Sequence, residues 1–226
     1  MPGPAVVQSK GGSVAGASTL TLTLTSGTTA GNCLVVAIGI GAVAGTVSTV
    51  KLGTVSLAKA KAAANSSAEP ADCEWWILPN IAGGQTSVPI TASSTTDICA
   101  VAYEVSNLAL TSPVDQTQSN TSNTTGSTWT SNASGTTAQA SEIEFGAVMA
   151  VTNGTFTGPG GWTNTSQTAG TLAKLVCGYQ VVSSTGTATY SGTQSGDTDN
   201  WGWSAVVITL KAAGGASGAP LMMVFP

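Results

Sequence analysis

Charge is scarce in this chain of 226 residues, where only 7% of the side chains are Asp, Glu, Lys or Arg. An average globular protein has roughly 25%. There is no arginine and no histidine, and six lysines against ten acids give a net charge of −4. No basic patch can therefore form to neutralise phosphates, which argues against nucleic-acid binding. The missing histidine excludes Ser-His-Asp and Cys-His catalysis and histidine-ligated zinc.

Cysteine is also scarce, and no two cysteines have the CxxC spacing of a zinc or redox site. All of them lie inside apolar stretches, which favours buried free thiols over disulfides. We therefore expect no metal and no cofactor. The cysteines are Cys33, Cys73, Cys99 and Cys177.

Long apolar runs are missing as well. No stretch approaches the roughly 18 apolar residues that a transmembrane helix requires. The first seven residues, MPGPAVV, have neither the basic region nor the apolar core of a secretory signal. The expectation is a protein made in the cytoplasm, without a membrane partner.

The chain is instead rich in Ser, Thr and Gly, with short apolar runs between them. Leu20, Leu22 and Leu24 alternate with threonines, which is the period of a half-buried strand. Other runs are continuous and rich in β-branched residues, and polar turns separate them. The pattern predicts an all-β fold, a jelly-roll-like antiparallel β-sandwich of roughly ten strands. The Ala/Lys-rich segment 58–71 is the one candidate for a short helix, and Thr128–Thr130 is a predicted strand within the long polar stretch 106–141.

Several segments recur, which makes an internal duplication one interpretation of the sequence. SGTTA occurs at 26–30 and at 134–138, each time before an apolar strand. CEWWIL (73–78) resembles CGYQVV (177–182), and DICAVAYEV (97–105) resembles WGWSAVVITL (201–210). Composition alone could also produce such echoes. The predicted organisation is an arm at 1–17, a sandwich domain at 18–212 with halves at about 18–107 and 127–212, and an apolar tail at 213–226.

Candidate catalytic and metal-binding groups are all carboxylates. Paired acids could cleave a glycosidic bond, but no spacing selects a pair, so we expect no enzyme. Glu142 and Glu144 alternate along a strand and are expected to line a solvated rim. The acids near 197–200 suggest a turn more than a calcium site, since calcium takes six to eight oxygens. The residues considered are Glu74, Glu104, Glu142 and Glu144 for hydrolysis, and Asp197, Asp199 and Asn200 for calcium.

Six tryptophans raise the question of sugar binding, because indole rings stack on sugars and also fill cores. Trp75 and Trp76 must point to opposite sides of a strand, so one of them is expected in the core. The candidate glycan-stacking residues are Trp162, Trp201 and Trp203, and the alternative is that they cap the core at one end of the sandwich.

Three segments together carry a resemblance to a known group. AGNCLVVAIG (30–39), GGW (160–162) and WGWSAVVITLKA (201–212) resemble β-sandwich proteins found in the virions of tailed bacteriophages. The resemblance implies a non-enzymatic structural protein of the virion, assembled in the host cytoplasm. The most specific expectation is a capsid decoration (cement) protein on a preformed shell. The alternatives are a head fibre or tail component, and a carbohydrate-binding module or adhesin.

The expected partners are the major capsid protein or other virion subunits, together with further copies of the chain in a trimer or dimer. A surface with so little charge is poorly protected against association. Apolar residues near both ends are the expected contacts, because such residues seldom remain in water. They are Val6, Val7, Leu221, Met222, Met223, Val224 and Phe225.

Overall fold

A computed structural model describes residues 2–41, 45–124, 126–198 and 201–214. Every named element in these ranges is a β-strand, which confirms the predicted all-β antiparallel sandwich. The strands of the first half are β1 (Ala5–Thr23), β2 (Cys33–Gly41), β3 (Val47–Leu52), β4 (Val55–Ser56), β5 (Ala58–Ala64), β6 (Asp72–Leu78) and β7 (Ser87–Ser106). Those of the second half are β8 (Val114–Ser122), β9 (Thr128–Thr130), β10 (Glu142–Val151), β11 (Thr155–Thr157), β12 (Thr163–Ala169), β13 (Ala173–Val182), β14 (Ser191–Ser195) and β15 (Trp203–Lys211).

Each half of the chain builds one large sheet of five strands. The first large sheet has the order β1-β7-β2-β6-β5, and the second has the order β8-β15-β10-β13-β12. If the five strands of each large sheet are numbered in chain order, both sheets have the same spatial order: first, fifth, second, fourth, third. All of these pairings are antiparallel.

Each half also has a small sheet, which has three strands in the second half and, with the two-residue β4 paired to β3, four in the first. In the first half, β1 and β7 continue past the large sheet, and there β7 lies between β1 and β3. In the second half, the same arrangement is made from separate strands in the order β11-β14-β9. In the first half, the first and last strands therefore run together through both sheets, and in the second half β8 and β15 lie in the large sheet while β9 and β14 lie in the small one, an arrangement like that of a jelly roll. The two halves repeat the same strand order.

The contacts between the halves support this correspondence. Between the halves, β13 contacts β2 and β7, while β6 contacts β10 and β15. The outer strands follow the same rule, because β12 contacts β1 as β5 contacts β8. The two units are thus related by an approximate two-fold axis near β2 and β10.

Four sheet layers enclose three layers of apolar side chains. The middle layer lies between the two large sheets and includes Trp75, Tyr103 and Phe145. The other two layers lie between each large sheet and its small sheet. The central strands of each large sheet are therefore covered on both faces, and β2 and β10 are buried at every position. This is why these strands appear in the sequence as continuous apolar runs and not as alternating ones.

The structure differs from the sequence-based expectations in two segments. The helix considered within 58–71 is wrong, because residues 58–64 form β5 and pair with β6. Lys59 and Lys61 flank a register shift in that pairing, and tertiary pairing outweighs the helical preference of alanine. The segment 1–17 lies largely within β1, which pairs with β7 from Ala5 onward. The predicted strand at Thr128–Thr130 is confirmed as β9.

Candidate functional site

Two grooves arise directly from the topology. Each large sheet has five strands, whereas the second small sheet has three and the first has four, of which β4 is only two residues long. The small sheets therefore leave the outer faces of β5 and β6, and of β12 and β13, partly uncovered. A cavity lies at each of these places, between the two edge strands of the large sheet and the edge of the small sheet.

The first groove has a volume of about 400 Å³. Its lining is Ile40, Gly45, Thr46, Ala64, Asn65, Pro70, Asp72 and Ser93. Among the described residues that line it, Asp72 is the one ionisable side chain, and it is 7% exposed. Within the described part of the chain, the Oδ1 atom of Asp72 has no hydrogen-bond partner.

The nearest carboxylate to Asp72 is already neutralised. Glu74 lies two residues further along β6, where its Oε1 atom is 2.7 Å from the Lys59 ammonium. Its Oε2 atom accepts a hydrogen bond of 2.5 Å from Trp76 Nε1, and Lys59 also lies 5.1 Å from the centre of the Trp76 ring. Burial, followed by the charge of Glu74, raises the pKa of Asp72 from 3.8 to about 8.

The second groove consists of two adjoining cavities of about 200 and 220 Å³. Both are lined by Phe156, Ser166 and Val176, and the remaining lining is mostly hydroxyl and amide side chains. Lys174 also lines the first of these two cavities, whereas no carboxylate is among the described residues that line either of them. The two grooves are equivalent in fold and different in charge.

An aromatic cluster lies at one end of the second groove. Trp162 packs edge-on against Tyr190, with ring centres 4.9 Å apart. The Tyr190 hydroxyl donates to Asn164 Oδ1 at 2.7 Å, and Asn164 lines the groove. Trp162 is partly buried, whereas Trp203 is buried in the core of the second half and offers no exposed ring face. Trp201 is also partly buried.

The other tryptophans are core residues. Trp75 lies between the two large sheets, and Trp76 lies on the opposite face, within the core of the first half. Both are buried because that sheet is covered on each side. Trp129 is buried against Tyr190, with ring centres 5.1 Å apart.

Glu104 is held in a cage of three neutral donors. Its Oε1 atom accepts from the Thr29 amide at 2.7 Å and from Asn32 Nδ2 at 2.6 Å. Its Oε2 atom accepts from Gln8 Nε2 at 2.7 Å. Glu104 is fully buried and joins β1 to the SGTTA loop before β2, so its role is structural.

Replacing Glu104 should be costly for stability. Glu104→Ala leaves three donors without an acceptor, and we expect a loss of about 3–4 kcal/mol in the free energy of unfolding. Urea unfolding monitored by tryptophan fluorescence measures it. Glu69→Ala is the control, because Glu69 is only partly buried and should change stability by less than about 0.5 kcal/mol. Equal losses in the two variants would contradict the role given to the cage.

The expectation of a solvated rim at Glu142 and Glu144 is wrong. Both are buried, because β10 is covered on each face. Burial, with a smaller contribution from Asp115, raises the pKa of Glu142 to about 7. Burial also raises the pKa of Glu144, which accepts a hydrogen bond of 2.6 Å from Gln180.

The four cysteines are buried free thiols, as the sequence favoured. Burial raises the pKa of Cys33, Cys99 and Cys177 to about 12, and it also raises the pKa of Cys73. The thiolate is the reactive form of cysteine, so these side chains act as small core residues.

The remaining predicted site residues lie in different places. Val6 is partly buried against the middle core, and Val7, at a register shift in β1, is 51% exposed. Asp197 accepts a hydrogen bond of 2.6 Å from Gln194. The described ranges contain no cluster of three metal-ligating side chains. The following residues lie outside the described residues: Asp199, Asn200, Leu221, Met222, Met223, Val224 and Phe225.

No helix long and apolar enough to cross a membrane occurs in the part of the chain that the structure describes. Comparison of the chain with protein-family models, with curated proteins and with solved structures gives no match.

Proposed function

We propose that the protein is a non-enzymatic structural subunit of a bacteriophage virion, most specifically a decoration protein that binds and stabilises a preformed capsid shell. The observation that carries the proposal is the pair of jelly-roll units joined through doubly covered sheets. Jelly rolls are common in viral capsid proteins and in lectins. This support is an analogy of architecture, to which the surface adds a second argument.

The edge strands of the second large sheet are nearly uncharged. β12 (TNTSQTA) has no charged residue, and β8 (VDQTQSNTS) has only Asp115. By contrast, β5 at the edge of the first large sheet carries Lys59 and Lys61. Proteins commonly place lysine or proline on edge strands to prevent pairing with other chains. The β12 edge lacks this protection, and its exposed threonine, asparagine and serine side chains suit contact with a neighbouring subunit.

The test compares particles with and without the subunit. Particles of the phage that encodes the chain should show it on the shell by electron microscopy, and deletion of its gene should remove that density and lower heat resistance. Purified protein should also rebind the bare shells. Absence of the chain from purified particles would contradict the proposal.

Variants locate the contact surface. Thr168→Lys places a charge on the exposed face of β12 and should reduce binding to bare shells at least tenfold. Thr21→Lys is the matched control, because Thr21 is also an exposed threonine on an edge strand. Deletion of residues 214–226 tests the tail separately and should weaken assembly while leaving the fold intact. Wild-type binding by Thr168→Lys would exclude the β12 edge as the contact.

Carbohydrate binding is a second candidate, favoured by the hydroxyl and amide lining of the second groove beside Trp162. A glycan array would detect it. Trp162→Ala should abolish the signal if the groove binds sugar, whereas Leu110→Ala, at an exposed residue on a loop, should leave it unchanged. An array without any signal would remove this candidate.

A further inference from the structure

We propose that the first groove is a binding site for a primary ammonium group, with the Asp72 carboxylate as its acceptor. The inference does not depend on a role in a virion. It starts from two independent observations at one place, a cavity of about 400 Å³ and an acidic side chain in its wall whose Oδ1 atom has no partner among the described residues.

The local charges favour a cation. Two carboxylates, Asp72 and Glu74, lie on the same face of β6, and the Lys59 ammonium is bonded to Glu74. Trp76 donates to the other oxygen of Glu74. Asp72 is therefore left without a counter-ion, and a buried carboxylate is stable only when it is paired or protonated. An anion in the groove would meet the Asp72 carboxylate, so it is disfavoured.

The lining selects an ammonium on an aliphatic stem over a metal ion. Calcium requires six to eight oxygens and magnesium six, whereas the groove has one free carboxylate. Asn65 has no free donor or acceptor, because its Oδ1 atom accepts from the Ala71 amide and its Nδ2 atom donates to two carbonyl oxygens. The hydroxyls of Thr46 and Ser93 are neutral acceptors. The apolar wall for the stem is Ile40, Ala64 and Pro70.

The same chemistry could come from a free polyamine or from a lysine side chain on a partner. Both present a primary ammonium on a methylene chain, and the groove as described does not distinguish them. The experiment therefore uses n-butylammonium as the probe of the shared chemistry. Spermidine and N-acetyl-lysine-methylamide then separate the two sources.

Binding should depend on pH because ammonium and proton compete for Asp72. The charged groups nearest to Asp72 are Glu74 on the same strand and Lys59 on β5, and Glu69 lies in the loop that contributes Pro70. The pKa of Asp72 is raised to about 8, so the carboxyl is largely protonated at pH 6 and largely ionised at pH 9. An alkylammonium keeps its charge up to about pH 10. Affinity should therefore rise roughly 50–100-fold between pH 6 and pH 9.

The test is calorimetric titration of the full chain with n-butylammonium at pH 6 and pH 9. Asp72→Asn should weaken binding at pH 9 at least tenfold. Asp97→Asn, which removes a carboxylate that accepts from the Gly16 amide, should bind as the wild type does. The neutral alcohol n-butanol should not bind. Circular dichroism of each variant confirms that it is folded.

The second groove is a control within the same molecule, because its described lining includes Lys174 and no carboxylate. Chemical shifts of the Ile40 and Ala64 methyl groups should move on titration, and those of Val176 should not. Absence of n-butylammonium binding at pH 9, or equal binding by Asp72→Asn, would overturn the proposal. Tighter binding of spermidine would identify a free polyamine as the ligand, and tighter binding of the lysine derivative would identify a partner's side chain.

Discussion

Raising the pH from 5 to 8.5 should lower the free energy of unfolding of this protein by several kcal/mol. Asp72 has an ordinary pKa of 3.8 and a pKa of about 8 in the folded state. Between these values the native state keeps a proton that the unfolded state has released, so stability falls as the pH rises. Below about pH 4 both states are protonated and the penalty vanishes. Over this pH range, Asp72 alone accounts for about 2–4 kcal/mol.

Ionisation of Glu142 also lowers the free energy of unfolding as the pH rises. Its pKa rises from 4.5 to about 7 on folding, mainly through burial, so its penalty develops between those two values and is complete above pH 7. The two carboxyls lie on different large sheets, on β6 and β10, and their effects should add.

Urea unfolding at several pH values tests this expectation. Asp72→Asn should raise the free energy of unfolding at pH 8.5 by about 2–4 kcal/mol and leave it nearly unchanged at pH 4. Glu142→Gln should further reduce the decrease in the free energy of unfolding as the pH rises. Asp97→Asn is the matched substitution at a partly buried aspartate, which accepts a hydrogen bond from the Gly16 amide. An Asp72→Asn variant no more stable than the wild type at pH 8.5 would show that burial of this carboxyl is not penalised.

Adding one methyl group at Gly146 should destabilise the protein by about 3 kcal/mol or more. A Cβ atom there would lie far inside van der Waals contact with the ring of Tyr190. Tyr190 cannot retreat, because Trp129 and Trp162 pack against it and its hydroxyl is bonded to Asn164. Gly146 lies on the central strand β10, which is paired on both sides and cannot shift.

Thermal and urea unfolding of Gly146→Ala measure this loss, and Gly160→Ala is the matched control. A Cβ atom at Gly160 meets no atom within 4 Å, so that variant should be nearly neutral. In a double-mutant cycle, Tyr190→Ala should cost much less in the Gly146→Ala background than in the wild type. Additive losses would show that the ring and the glycine are not in contact.

The sequence allowed prediction of the strands that carry apolar side chains. The continuous runs of β2, β10 and β15 and the alternating leucines of β1 were interpreted correctly, because burial leaves a pattern in residue type. β8 and β12 were missed. Their residues are almost all Ser, Thr, Asn and Gln, and as edge strands they are held by backbone pairing with little apolar burial of their own. The helix expected from the Ala/Lys-rich composition of β5 does not form, because this segment pairs with β6 as a strand.

The candidate site was only partly predictable. Glu74 was singled out as an acid, but its ion pair with Lys59 depends on strand pairing that one sequence does not reveal. Asp72 was not singled out at all, since a lone Asp before an apolar strand resembles a turn residue. Its importance comes from the uncovered face of β6, which follows from the number of strands in the small sheet.

The two-fold relation between the halves makes the chain equivalent to a dimer whose subunits share one backbone. Either unit alone would expose to water the whole apolar face that now forms the middle core, including Trp75 or Phe145. Residues 107–113 act as the tether that keeps the second unit at high effective concentration near the first. With the partnership fixed covalently, the two grooves can differ in charge, with Asp72 in the lining of one and Lys174 in the lining of the other.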